Sequence, residues 1–259
     1  MKTALSTAFA ICLLAAAGCF DNRARPADAT PVTSLAALRA TNRADVVRLY
    51  LRGGKESIAA GDLANLPALR ELDLSERGLK EIPQEVFSLK SLNRLWLVRN
   101  SLESIPDGLA GLPELSYLNL DGNGISVLPE SLSRAVNLKW LRLNENPVEA
   151  VPASYSALKG MRRLYLRGGK LKAVPEAVRD WRELEDLLLD RNAISEIPQW
   201  LTSMPCLRSV SFSGCPVRKL PEDLSGWVRL DSLSLAGCQI APDEMKRIRA
   251  ALPDVAIVF

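Results

Sequence analysis

Histidine is absent from the chain. That removes the commonest general base and the commonest metal ligand together. Cysteine is sparse, with five residues and no C-x-x-C pair, so zinc-ribbon and thioredoxin-like chemistry have no ligand set. Neither sign of charge prevails: 33 Lys and Arg against 30 Asp and Glu leave a formal +3. Nucleic-acid binding wants a basic stripe, and this mild excess does not supply one. No Gly-rich phosphate loop occurs, and nothing leaves room for a second catalytic domain. The composition therefore speaks against an enzyme, a metal site, an organic cofactor and a nucleic-acid partner, and leaves a binding or structural role.

What is present in abundance is a repeat. Residues 92–114 carry leucine at the first, fourth and sixth positions (Leu92, Leu95, Leu97), Asn100 at the ninth and Ile105-Pro106 at the fourteenth and fifteenth. The same frame begins at residues 46, 69, 92, 115, 138, 161, 184, 207 and 230, a period of 23. Positions one, four and six point inward and alternate with outward residues, which predicts a strand of three to five residues per unit. Stacking pairs those strands into one parallel sheet. Asparagine at position nine (Asn100, Asn123, Asn146, Asn192) has the donor and acceptor needed to satisfy buried peptide groups of neighbouring turns. Cys215 and Cys238 take that slot late in the chain, whereas Gly54, Arg77 and Gly169 depart from it and predict a looser ladder there. Proline recurs at position fifteen from Pro83 to Pro221; it cannot donate to a ladder and fixes its own φ, so it marks where the return segment starts. Arg52-Gly53-Gly54-Lys55 and Arg167-Gly168-Gly169-Lys170 look like RNA-binding RGG motifs, but both fall at positions seven to ten, where turn geometry accounts for them.

The pattern L-x-x-L-x-L-x-x-N/C-x-L resembles the leucine-rich repeat. Its I/L-P-x-x-L/V variant is similar to repeats of eukaryotic scaffolds that bind Ras-type GTPases and of many bacterial envelope proteins. The resemblance implies an α/β solenoid: a leucine-rich repeat horseshoe with a curved parallel β-sheet on the concave face and short helical or irregular convex segments. The matching residues are core residues, so the resemblance says little about a partner.

The ends differ from the repeats. Residues 1–18 read as a signal peptide: Lys2, then a mostly apolar run to Ala17, too short for a comfortable membrane helix. Ala16-Ala17-Gly18-Cys19 resembles the lipobox of bacterial lipoproteins, in which the cysteine is lipidated. The resemblance implies a lipid-anchored envelope protein, and Phe20 in place of an aspartate favours the outer membrane where one exists. Ordinary cleavage and secretion, or a retained anchor, are the alternatives. Residues 19–33 then form a tether, 34–45 an N-terminal cap with Ser34 before LAALRA, 46–240 the repeats and 241–259 a C-terminal cap of helix and strand.

Function in such a fold is expected on strand positions three, five and seven. Adjacent strands lie about 4.8 Å apart, so Trp96, Tyr117, Trp140 and Tyr165 are expected to form one aromatic strip, flanked by Arg94, Arg142, Arg163 and Arg167, with both tryptophans facing solvent. Tryptophan, tyrosine and arginine dominate binding hot spots. The strip is suited to a protein or peptide partner, or to a sugar polymer through ring stacking; the alternative is that the rings merely pack across neighbouring strands. Asp186 and Asp190 are expected in surface ion pairs, not as catalytic carboxylates. Cys215 and Cys238 fall close enough to bridge, or serve as ladder substitutes with free thiols. The sequence thus points to a non-catalytic interaction module of the bacterial envelope, with a structural spacer or a secreted effector as alternatives.

Overall fold

The computed structural model describes residues 30–259. The signal-peptide segment 1–18, the lipidation site Cys19 and the tether through residue 29 lie outside the described residues. Residues 31–259 form one compact unit.

Its frame is a single parallel sheet of ten strands in chain order: β1 (Arg48–Tyr50), β2 (Glu71–Asp73), β3 (Arg94–Trp96), β4 (Tyr117–Asn119), β5 (Trp140–Arg142), β6 (Arg163–Tyr165), β7 (Asp186–Leu188), β8 (Ser209–Ser211), β9 (Ser232–Ser234) and β10 (Ala256–Val258). From β1 to β9 each is positions three to five of its repeat, so the strands pair in strict register, Leu72 against Leu95 and Leu95 against Leu118. From β1 to β9 the middle residue, leucine or Val210 in β8, is buried and its two neighbours face the other side, the period-two pattern of a strand. Stacked units bury one continuous leucine core, and the molecule is a horseshoe-type α/β solenoid.

Position eight turns the chain off the sheet. Gly53, Glu76, Arg99, Gly122, Glu145, Gly168, Arg191, Gly214 and Gly237 all have φ between 51° and 71°. Beyond it, position nine closes a ladder. Asn123 donates to Leu97 O at 2.9 Å and accepts from Leu102 N at 3.1 Å; Asn192 does the same with Leu166 O (2.7 Å) and Leu171 N (3.0 Å). The donor always reaches a carbonyl 26 residues back. Cys215 and Cys238 are free thiols that keep this bond, to Leu189 O and Phe212 O at 3.2 Å. Arg77 corrects the expectation of a loose ladder: its guanidinium reaches Leu51 O at 2.5 Å, also 26 back, and Glu56 O besides.

Each position-fifteen proline from Pro83 to Pro175 then opens a 3-10 turn, as at Asp107–Gly111, where Pro106 O accepts from Leu109 N at 3.2 Å; Pro198 opens a four-residue helix, Gln199–Thr202. The residue three beyond the proline (Val86, Leu109, Leu132, Tyr155, Val178, Leu201) is buried and anchors the convex side.

Both ends are covered. Helix α1 (Leu35–Ala40) is capped by Ser34 Oγ accepting from Ala37 N, and it lays Leu35 and Leu38 on the first repeat. Arg39 clamps it to buried Asp62 with bonds of 3.0 and 2.8 Å. The tether expected through residue 33 ends earlier: Val32 N donates to Arg48 O (3.0 Å) and Val32 O accepts from Tyr50 N (2.8 Å), covering the open edge of β1. At the other end α2 (Pro242–Ala251) has acids first and Arg249 last, as the helix dipole favours. It buries Ile248, and β10 closes on β9.

Candidate functional site

Strand positions three and five leave the sheet on the concave side, away from the leucines. Across β3 to β6 they carry rings. Trp96 and Tyr117 lie 5.1 Å apart between centroids at 46°, Tyr117 and Trp140 4.9 Å at 84°, and Trp140 and Tyr165 5.6 Å at 76°. The expected strip is therefore contiguous, bowed because Trp96 and Tyr165 occupy position five while Tyr117 and Trp140 between them occupy position three. Tyr50 extends it to β1, 6.3 Å from the Trp96 ring and 85° to it. Sequence inspection misses this link because a whole strand intervenes; the signal is the short side chain of Asp73, in register between the two rings.

Exposure differs from expectation. Tyr117, Trp140 and Tyr165 are only 7%, 8% and 5% exposed, and only Trp96 remains half-buried. Large rings on strands this close fill the space between them, so they bury one another and form a second apolar cluster with Leu188. Edge-to-face contacts of this kind contribute about 0.5–1.5 kcal/mol each beyond burial. The strip is a packed ridge.

The arginines complete the packing. Arg163 lies over the Trp140 ring at 4.7 Å and Arg142 over the Tyr165 ring at 5.4 Å. Each also meets an acid: Arg142 with Asp121 at 2.5 Å, Arg163 with Asp186 at 3.0 Å, Arg94 with Glu71 at 3.4 Å. Arg167 stands apart from the rings, paired with Asp190 at 2.8 Å. Asp186 and Asp190 are thus held in ion pairs. Burial raises the Asp186 carboxyl above its usual range, opposed by Arg163, and raises the Tyr165 phenol beside it. Of the eight expected residues, the four rings, Arg142 and Arg163 converge on the ridge, while Arg94, in register with Tyr117, and Arg167 flank it.

A further ladder at position seven stiffens this face. Ser75 Oγ accepts from Val98 N at 3.1 Å, Asp121 Oδ1 from Asn144 N at 2.8 Å and Asn144 Oδ1 from Arg167 N at 3.0 Å. Beyond Leu188 the floor becomes hydroxyl, with Ser209–Ser232 (3.0 Å) and Ser213–Ser234 (2.7 Å) bonded across strands. Among the described residues no group of three or more Cys, Asp or Glu is placed to hold a metal ion, and no helix is long and apolar enough to cross a membrane. Such a surface is preorganised, and it is suited to docking.

Comparison with known proteins agrees with this architecture. The leucine rich repeat family pattern matches residues 67–125. No curated sequence is significantly similar. Among solved structures, a leucine-rich repeat protein of Leptospira interrogans is similar at 23% identity over 88% of this chain and 69% of its own, with a TM-score of 0.66. An internalin (inlF) of Listeria monocytogenes is 21% identical over 87% of this chain and 64% of its own, TM-score 0.73. The Arabidopsis receptor kinase HAESA ectodomain, solved with an N-terminally extended IDA peptide hormone, is 26% identical over 81% of this chain and 37% of its own, TM-score 0.65.

Proposed function

The chain is a leucine-rich repeat protein, and we propose that it is a non-catalytic interaction module that takes a protein or peptide on its concave sheet. Leucine-rich repeat proteins generally mediate protein–protein interaction, and HAESA is a structural relative bound to a peptide. The observation that carries the reading is the ridge from Trp96 to Tyr165 with its arginines. Rings and guanidinium groups that neighbours already hold in place lose little side-chain entropy on docking, which favours affinity without reshaping. Catalysis has no support in the ridge, whose charged groups are paired among themselves.

The cellular setting we propose is the bacterial envelope, with the chain anchored through lipidated Cys19. The support is the lipobox-like Ala16-Ala17-Gly18-Cys19. Cys19→Ser is expected to abolish fatty-acid labelling and release the protein from membranes; a wild type found in the soluble fraction refutes the anchor.

The binding reading is tested by cross-linked pull-down from envelope extract, wild type against Trp96→Ala, with Ser232→Ala as control. Trp96 is half-buried and its loss leaves the leucine core untouched. A partner kept by the control and lost by Trp96→Ala supports the ridge, and one retained equally moves the site elsewhere. A structural spacer is the second reading, favoured by the mutual burial of three of the rings; it predicts no partner at all.

A further inference from the structure

The accessible end of the ridge has a chemistry that the rest lacks. Tyr50, Asp73 and Trp96 stand side by side in one cross-strand row, Tyr50 in register with Asp73 and Asp73 with Trp96. All three are half-buried, unlike the rings of β4 to β6. The two ring planes meet at 85° with centroids 6.3 Å apart. They form a corner whose floor is a carboxylate.

The carboxylate differs from its neighbours. Glu71 is engaged by Arg94 and by the Tyr50 hydroxyl, Asp121 by Arg142, Asp186 by Arg163 and Asp190 by Arg167. Asp73 accepts a bond from Ser75 N at 2.8 Å, and among the described residues it forms no ion pair. Arg52, which contributes to the field there, is itself paired with Glu76 at 2.7 Å. The row thus joins two aromatic rings and an acid that forms no ion pair among the described residues.

Resting on the proposed use of the concave face for a partner, we propose that Tyr50, Asp73 and Trp96 form a cation-recognition corner that accepts a lysine or arginine side chain of the bound protein. A cation seated over the face of either ring falls within the roughly 6 Å reach of that ring's quadrupole. Asp73 lies in the row between the rings and adds a charge-assisted partner. The Tyr50 hydroxyl is occupied by Glu71, which fixes that ring.

The test is an NMR titration of the full chain, following the Trp96 indole N–H. The probes are N-acetyl-lysine methylamide, N-acetyl-arginine methylamide, the norleucine amide as an uncharged stem, and phosphocholine. Saturable shifts with a cationic amide and not with norleucine are expected. Trp96→Leu, followed on the Ser75 amide, and Asp73→Asn are each expected to weaken binding about fivefold to tenfold. Asparagine still accepts the Ser75 N–H, and Tyr50→Phe keeps the ring and is expected to bind within about twofold of wild type.

Equal response to norleucine, full binding by Asp73→Asn, or a response to phosphocholine alone overturns the assignment. The pull-down separates the two readings. A silent titration beside a Trp96-dependent partner refutes the corner and leaves the concave interaction standing. Cation binding without any macromolecular partner keeps the corner and refutes the interaction module.

Discussion

The position-nine ladder lends itself to a quantitative test at Asn146, which is 1% exposed. Its amide donates to Leu120 O at 2.9 Å and to Leu143 O and Asn144 O at 3.2 Å, and its oxygen accepts from Ile125 N at 3.1 Å. In Asn146→Ala, Leu120 O keeps the Asn123 amide at 2.8 Å and Asn144 O keeps Gly122 N at 2.8 Å. Ile125 N–H and Leu143 O lose the partner the side chain supplied. A buried peptide group left unsatisfied costs about 1–3 kcal/mol. Two such groups, with some relief from water entering the vacated space, imply a loss of about 2–4 kcal/mol. For a body of this size that is roughly 4–15 °C in Tm. Asn146→Cys is expected to cost about half as much, because Cys215 shows that a thiol in this slot still donates to the carbonyl 26 residues back. Asn146→Asp keeps the acceptor for Ile125 N, but it loses every donor and buries charge among carbonyls, so it ranks worst. Urea unfolding followed by far-UV circular dichroism reads the series, and an unchanged slope m shows that the unfolded reference is the same. An alanine variant within about 1 kcal/mol of wild type, or an aspartate milder than alanine, refutes the ladder as the support of the turns.

Other consequences are as direct. A Cβ at Gly226 falls 2.4 Å from Thr202 O, a backbone atom that cannot swing away; Gly226→Ala is expected to destabilise by about 1–3 kcal/mol in the same unfolding assay. Asp62 is held below its ordinary value of 3.8, first by the Arg39 hydrogen bond and then by Ala59 N. Its contribution is present in full above that value and is lost as pH falls through the lower folded one. Amide exchange across residues 35–45 is therefore expected to accelerate below about pH 4 ahead of the central repeats, and Asp62→Asn is expected to remove that dependence. Burial pushes the Cys238 thiol up to about 11, with Cys215 nearby adding to the effect. At pH 8 roughly one thiol in a thousand is then ionised, so iodoacetamide is expected to label Cys238 far more slowly than an unfolded control, and comparable rates refute the buried ladder geometry.

Much of the fold was legible because a stacked repeat turns sequence distance into spatial distance. A residue at a given position has its counterpart 23 residues away as a cross-strand neighbour, so Leu72, Leu95 and Leu118 declare the core and its register together. Glycine alone would have found five of the position-eight turns. Glu76, Arg99, Glu145 and Arg191 take the same left-handed φ, at about 1–2 kcal/mol each, because units on either side dictate the path of the chain. Arg77 likewise hides its ladder role in a side chain that reads as surface charge, yet its carbonyl partner lies 26 residues back like that of every asparagine.

The concave site was legible to the same depth and no further. Row arithmetic places Trp96, Tyr117, Trp140 and Tyr165 together; it does not say that three of them sink into one another, since that depends on rotamers chosen jointly by adjacent rings. It also stops at the next strand, and so misses Tyr50 reaching Trp96 over Asp73. Both failures have one cause. Strand spacing is common to every repeat, whereas the height of each side chain above the sheet belongs to its residue type and its neighbours. A tall ring beside a tall ring is buried; a tall ring beside a short acid stays open. The Tyr50–Asp73–Trp96 row, where heights are mismatched, is therefore the part of this face whose rings stay accessible, and the evenly tall middle of the ridge packs beside it.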